Sequence, residues 1–154
     1  MIWGWFPGSC LRSALPEIRR PQGNEERSVA MFQVSVEDTF SSGHALRGYK
    51  GKCENPHGHN YRVQVTLEGP QLDNIGLLLD FTQLKHAMRG LIAKLDHQFI
   101  NDLEPFTTVN PSAENLAKFF YENLAGQLTD LPPGAKLKDV VVWETDTAMA
   151  RYQP

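Results

Sequence analysis

Cysteine is scarce in this 154-residue chain: there are two, Cys10 and Cys53, in no CxxC pair, so a disulfide framework is excluded. A reducing compartment follows, and the expected location is the cytoplasm. An excess of positive charge is missing as well. With a formal net charge of -3 and a pI near 5.9, the chain has no overall attraction to nucleic acid or to an anionic membrane surface, so neither is an expected partner. The apolar stretch Met1 to Phe6 is too short for a secretion-signal core and has no basic residues before it. What is present, at 41% hydrophobic residues, is enough for one compact domain with a core. Residues 1–30 mix proline, glycine and charge without a sustained period. They are expected to be a flexible N-terminal extension, or the product of a start assigned too far upstream, with the ordered domain over 31–154.

From Phe32 to Phe40, FQVSVEDTF alternates apolar and polar residues at the period of a half-buried strand, and YRVQVTLEG from Tyr61 does so again. The long polar, glycine-containing connection between them is of the kind that is more often functional than idle. Asp80 is an N-cap for a helix over 81–95, striped by Phe81, Leu84, Met88, Leu91, Ile92 and Leu95. Asn110 as a cap with Pro111 in the first turn starts a second helix, striped by Leu116, Phe120 and Leu124 and ending near Leu128. KDVVVWET and TAMARY are two closing strands around a turn at Asp146. The order ββααββ implies an α+β fold, an antiparallel sheet with helices on one face.

His57 and His59 in HGH project from one face of an extended chain, and His44 lies just past the first strand. If the two strands pair antiparallel, the three imidazoles converge, which is the composition of a catalytic zinc site with an open fourth position. The alternative is that they serve as hydrogen-bonding groups at strand ends. Cys53 lies close before His57 and is open to three roles: a base favoured as thiolate by a nearby cation, a fourth ligand closing a structural site, or an inert small residue. Asp96 and His97 at the end of the first helix supply a carboxylate and an imidazole for acid/base work, although adjacent helical residues need not bond each other. A helix-end histidine favoured by the dipole is the plainer reading. Glu144, following VVVW, is placed to anchor a ligand's donors or simply to meet water.

Taken together, FSSGHALRGYKGKCENPHGHNY, LLLDFTQLK, KLDHQFIND, NPSAENLA and WETDTAMARY resemble the 6-pyruvoyltetrahydropterin synthase and 6-carboxytetrahydropterin synthase family over nearly all of residues 31–154. The resemblance implies the tunnelling (T-) fold, a four-stranded antiparallel sheet with two helices inserted between the second and third strands. It implies zinc (Zn2+) on His44, His57 and His59, Cys53 as general base, and His97 with Asp96 as a second proton-transfer pair. Glu144 matches the residue that grips the pterin ring by charge-assisted bonds, and Ser112 and Glu114 fall where the family makes further ring contacts. It also implies a homohexamer, a dimer of trimers with sites at subunit interfaces.

The implied substrate is 7,8-dihydroneopterin triphosphate. The ending ETDTAMARY looks more like the bacterial branch, whose lyase reaction gives 6-carboxy-5,6,7,8-tetrahydropterin, acetaldehyde and triphosphate on the route to queuosine. The alternatives are 6-pyruvoyltetrahydropterin synthase, or a non-catalytic pterin-binding or assembly module with a structural zinc. Arg47, Lys50 and Lys52 are placed to attract the triphosphate, or are an ordinary solvated loop. One departure stands out. A folate-supplying branch, which releases 6-hydroxymethyl-7,8-dihydropterin, carries a glutamate before HGH in place of the cysteine. This chain carries both, Cys53 and Glu54, as CExxHGH, like relatives that serve both pathways.

Overall fold

The alternation that starts at Phe32 runs further than its apolar residues do. The computed structural model describes residues 30–154, and in it β1 (Phe32–His44) buries Val36 and Phe40 and then, at the next inward positions, the polar Ser42 and His44. β2 (His57–Gly69) starts at His57 rather than Tyr61, because the two strands pair antiparallel without interruption from Phe32 opposite Gly69 to His44 opposite His57. The connection is therefore residues 45–56.

β3 (Lys136–Thr145) pairs with β2, and β4 (Ala148–Tyr152) pairs with β3, giving an antiparallel sheet ordered β1-β2-β3-β4. Between β2 and β3 run α1 (Phe81–Leu95) and α2 (Ala113–Gln127). α1 packs on β1, α2 on β3 and β4, and the helices touch each other. Their buried stripes, Leu84, Met88, Leu91 and Leu95 on α1 and Leu116, Phe120 and Leu124 on α2, meet Tyr61, Val63, Val65 and Leu67 of β2 and Val140 and Val142 of β3. Each such side chain contributes about 1.5–3 kcal/mol when fully buried. This is the expected ββααββ, α+β architecture. No helix among the described residues is long and apolar enough to cross a membrane.

Two local expectations change. Phe81 is 54% exposed, so the buried stripe of α1 begins at Leu84. The N-cap of α2 is Ser112, whose Oγ accepts from Asn115 N–H at 3.4 Å, and not Asn110. Asn110 uses its carboxamide on Arg47 instead. The expected N-terminal extension, apart from Ala30, lies outside the described residues.

Candidate metal centre and its surroundings

His44 and His57 are cross-strand partners and His59 opposes Ser42, so all three imidazoles leave the same face of the β1–β2 ladder. Glycine makes the close approach possible: a Cβ on Gly58, between the two β2 histidines, would meet the Ser42 carbonyl oxygen at 3.3 Å. Glu144, near the end of β3, completes the group. One donor atom from each of His44, His57, His59 and Glu144 lies within 4.8 Å of all the others.

The hydrogen bonds set the chemistry of these atoms. His44 Nδ1 lies 2.7 Å from the Pro111 carbonyl oxygen, and His57 Nδ1 lies 2.8 Å from that of Asn55. A carbonyl only accepts, so both rings carry the proton on Nδ1 and present a lone pair at Nε2. Those two Nε2 atoms stand 3.1 Å apart, and His59 Nε2 is buried with no hydrogen-bond partner. The Glu144 carboxylate adds Oε1 at 3.1 Å from His44 Nε2 and 3.6 Å from His59 Nε2. Lone pairs and a carboxylate aimed at one another repel unless a cation lies among them. A proton is a poor candidate at His44, because burial pushes its basicity down, against the opposing pull of the Pro111 hydrogen bond and Glu144. A set of imidazole nitrogens with one carboxylate is instead a donor set that suits zinc.

Asp96 and His97 are joined although they are neighbours in sequence, because the chain has already left α1. Asp96 is the C-cap with an extended backbone, and His97 takes a φ of 58°. Residues 96–99 then run beside the end of β1: Ser41 N–H donates to Asp96 Oδ1 at 2.9 Å, His97 N–H to Ser41 O at 2.7 Å, and Gly43 N–H to Gln98 O at 3.0 Å. This leaves Asp96 Oδ2 to accept from His97 Nδ1 at 2.9 Å. The Ser41 N–H, and then His97, hold the Asp96 carboxyl below the usual carboxylate range. The His97 side chain is 80% exposed, with Nε2 free to exchange a proton. A cleft of about 440 Å³ has both His59 and His97 in its lining, with Ser41 and Gln98.

The other expected site residues are more dispersed. Cys53 is half-buried in a single 3-10 turn, Lys52–Glu54, held by Leu46 N–H donating to Cys53 O at 2.8 Å. It is not among the four clustered donors; the group beside the three histidines is the Glu144 carboxylate. Glu54, on the same turn, and Glu114, in the first turn of α2, are exposed. Ser112 is engaged as the α2 cap. Arg47 is exposed, with its Nη2 donating to the Phe106 and Val109 carbonyls at 2.7 and 2.8 Å. Lys50 and Lys52 remain exposed.

Two features escape a reading of the sequence. One is the placement of Glu144 among the histidines, which depends on the β2–β3 register. The other is Tyr61, whose buried hydroxyl has no partner and whose ring meets those of His44 and His59 edge-on at 5.8 and 5.5 Å. The HGHNY spacing does signal it, since Tyr61 continues the inward positions of His57 and His59.

Known proteins share this arrangement of chain. The family model described as 6-pyruvoyl tetrahydropterin synthase matches residues 33–154. The 6-carboxy-5,6,7,8-tetrahydropterin synthase of Bacillus subtilis (strain 168) is 33% identical over 128 residues, covering 80% of this chain and 86% of its own. The 6-pyruvoyl tetrahydrobiopterin synthase of Homo sapiens is 34% identical over 135 residues, covering 79% and 90%. The solved structure of Caenorhabditis elegans 6-pyruvoyl tetrahydropterin synthase superposes with a TM-score of 0.72 at 29% identity, covering 82% of this chain and 97% of that one. With a continuous match over the whole described domain and the same fold, the chain belongs to the 6-pyruvoyl tetrahydropterin synthase family.

Proposed function

We propose that the protein is a zinc-dependent lyase that converts 7,8-dihydroneopterin triphosphate to 6-carboxy-5,6,7,8-tetrahydropterin, acetaldehyde and triphosphate, in the cytoplasm and on the route to queuosine. The observation that carries this is the facing pair of Nε2 lone pairs on His44 and His57, with His59 Nε2 unpartnered beside them. His44, His57 and His59 hold the zinc. When bound there, it supplies Lewis acidity toward a hydroxyl on the substrate's side chain.

The remaining steps belong to the chain's own groups. Glu144 grips the pterin ring through the ring's amino and N–H groups, with Ser112 and Glu114 contributing further contacts. Cys53 takes a side-chain proton. Glu54 beside it is a second base, whose use leads to 6-hydroxymethyl-7,8-dihydropterin and a folate-type product. His97, with its Nδ1 proton held by Asp96, exchanges a proton through the opposite nitrogen. Assembly is a hexamer of two stacked trimers; β1 and β4, the outer strands of the sheet, suit edge-to-edge joining of copies. A free Cys53 thiol suits a reducing compartment. The alternative reading, a 6-pyruvoyltetrahydropterin synthase, is supported by the similarity to the human relative.

Metal analysis and turnover test the proposal together. Stoichiometric zinc with consumption of dihydroneopterin triphosphate is expected. Zinc without any consumption leaves a pterin-binding module with a structural metal, and protein that takes up no zinc contradicts both.

A further inference from the structure

After His44 the chain leaves the sheet, yet its backbone stays paired, with side chains in place of a neighbouring strand. The buried Asn101 accepts from Ala45 N–H through Oδ1 and donates to Ala45 O through Nδ2, both at 2.8 Å. Two residues on, Asn110 treats Arg47 in the same way, with both bonds at 2.9 Å. The Arg47 guanidinium then reaches back to the segment that carries Asn110, donating to the carbonyls of Phe106 and Val109. At its far end the segment is tied to α2, where Asn115 Nδ2 donates to Asn110 O at 2.9 Å. The residue held between these ties is Pro111, and its carbonyl is the acceptor for His44 Nδ1.

We infer that Arg47 and Asn110 are positioning residues for His44: they fix the Pro111 carbonyl, which sets the tautomer and rotation of the imidazole and so the direction of its Nε2 lone pair. The acceptor that a ligating histidine's second nitrogen uses is what orients the ring and adjusts its basicity. The two sides of the centre differ in this respect. His57 leans on Asn55 O in an exposed turn, whereas His44 is fully buried and leans on a carbonyl braced from two directions. Arg47 thus serves the centre from its outer side, through the carbonyls that its Nη2 meets. This inference rests on the zinc reading of the histidine cluster.

The test is zinc affinity, measured by competition with a chromophoric chelator on the full chain, for Arg47→Met and Asn110→Ala. These variants remove different bonds: Arg47→Met keeps the backbone pairing with Asn110, and Asn110→Ala keeps the guanidinium. Each is expected to weaken zinc binding by about 10–100-fold, the usual effect of losing an outer partner of a ligand, with Arg47→Lys recovering part of it. The visible bands of the cobalt-substituted protein should shift in the same variants, which a loss of stability alone would not produce. Unchanged affinity and unchanged bands in both variants overturn the inference while leaving the metal centre standing. Wild-type protein that binds no zinc removes the metal centre itself, and the inference with it.

Discussion

His44 and His57 close the β1–β2 ladder as cross-strand partners, with their Nε2 atoms 3.1 Å apart and both Nδ1 protons committed to carbonyls. A pair so arranged is destabilised without a cation. Zinc should therefore raise the thermal midpoint of the wild-type protein, by the equivalent of about 2.7 kcal/mol at a free concentration 100 times Kd. His57→Ala, which changes a half-buried side chain, should fold and lose most of that response in a thermal scan with and without zinc. An equal response in the variant would take His57 out of the ligand set.

The link between Asp96 and His97 depends on two different carboxylate oxygens. Asn at position 96 can keep the Oδ1 contact with Ser41 N–H but turns the other atom into a donor facing His97 Nδ1, which favours the wrong tautomer. Asp96→Asn should lower kcat by about 10²–10⁴-fold with the melting temperature little changed, as general acid/base groups of this kind contribute on that scale. Steady-state kinetics beside a thermal scan checks it; wild-type kcat in the variant would remove the pair from the reaction.

Glu144 stands beside the histidines, and its proposed task is to hold the ring. Glu144→Gln should keep stoichiometric zinc and lose about 10–100-fold in kcat/KM, the equivalent of one charge-assisted hydrogen bond. Loss of zinc from this variant, measured by metal analysis, would make Glu144 a ligand in place of an anchor.

Away from the site, Arg89 Nε donates to Asp38 Oδ2 at 2.7 Å, tying α1 to β1. This bond, with help from the Thr39 N–H, holds the Asp38 carboxyl below its ordinary value. A carboxyl whose folded pKa is depressed stabilises the fold above the unfolded pKa, about 3.9, and the contribution is lost as pH falls through the folded value. With Arg89 63% exposed the pair is screened, so Asp38→Asn should cost only about 0.2–1 kcal/mol at pH 7. In denaturant titrations the difference from wild type should shrink below pH 4 or so; a constant difference down to strongly acidic pH would assign the loss to packing.

How far the sequence is legible depends on what occupies the inward positions. The alternation Val34, Val36 and Tyr61, Val63, Val65 marks both strands, but it stops being apolar where Ser42, His44, His57 and His59 take the same positions, so the strand ends read as loop. The functional residues hide the structure that positions them. HGH and the antiparallel pairing nonetheless lead to the three-histidine convergence, because both follow from local spacing. Contacts spanning long stretches of chain do not appear in local pattern. Arg47 looks like a free cation in a basic loop, although its partners are the carbonyls of Phe106 and Val109. Asn110 and Ser112 are equally good caps by type. Asn110 is drawn away by Arg47, which leaves Ser112 to start α2.

The most direct measurement is the identity of the pterin released when the zinc-loaded protein is incubated with 7,8-dihydroneopterin triphosphate and the products are separated. The expected result is 6-carboxy-5,6,7,8-tetrahydropterin, lost in Cys53→Ala, with any 6-hydroxymethyl-7,8-dihydropterin lost in Glu54→Ala. Release of 6-pyruvoyltetrahydropterin in place of the carboxy product, or an undiminished carboxy product from Cys53→Ala, would contradict it.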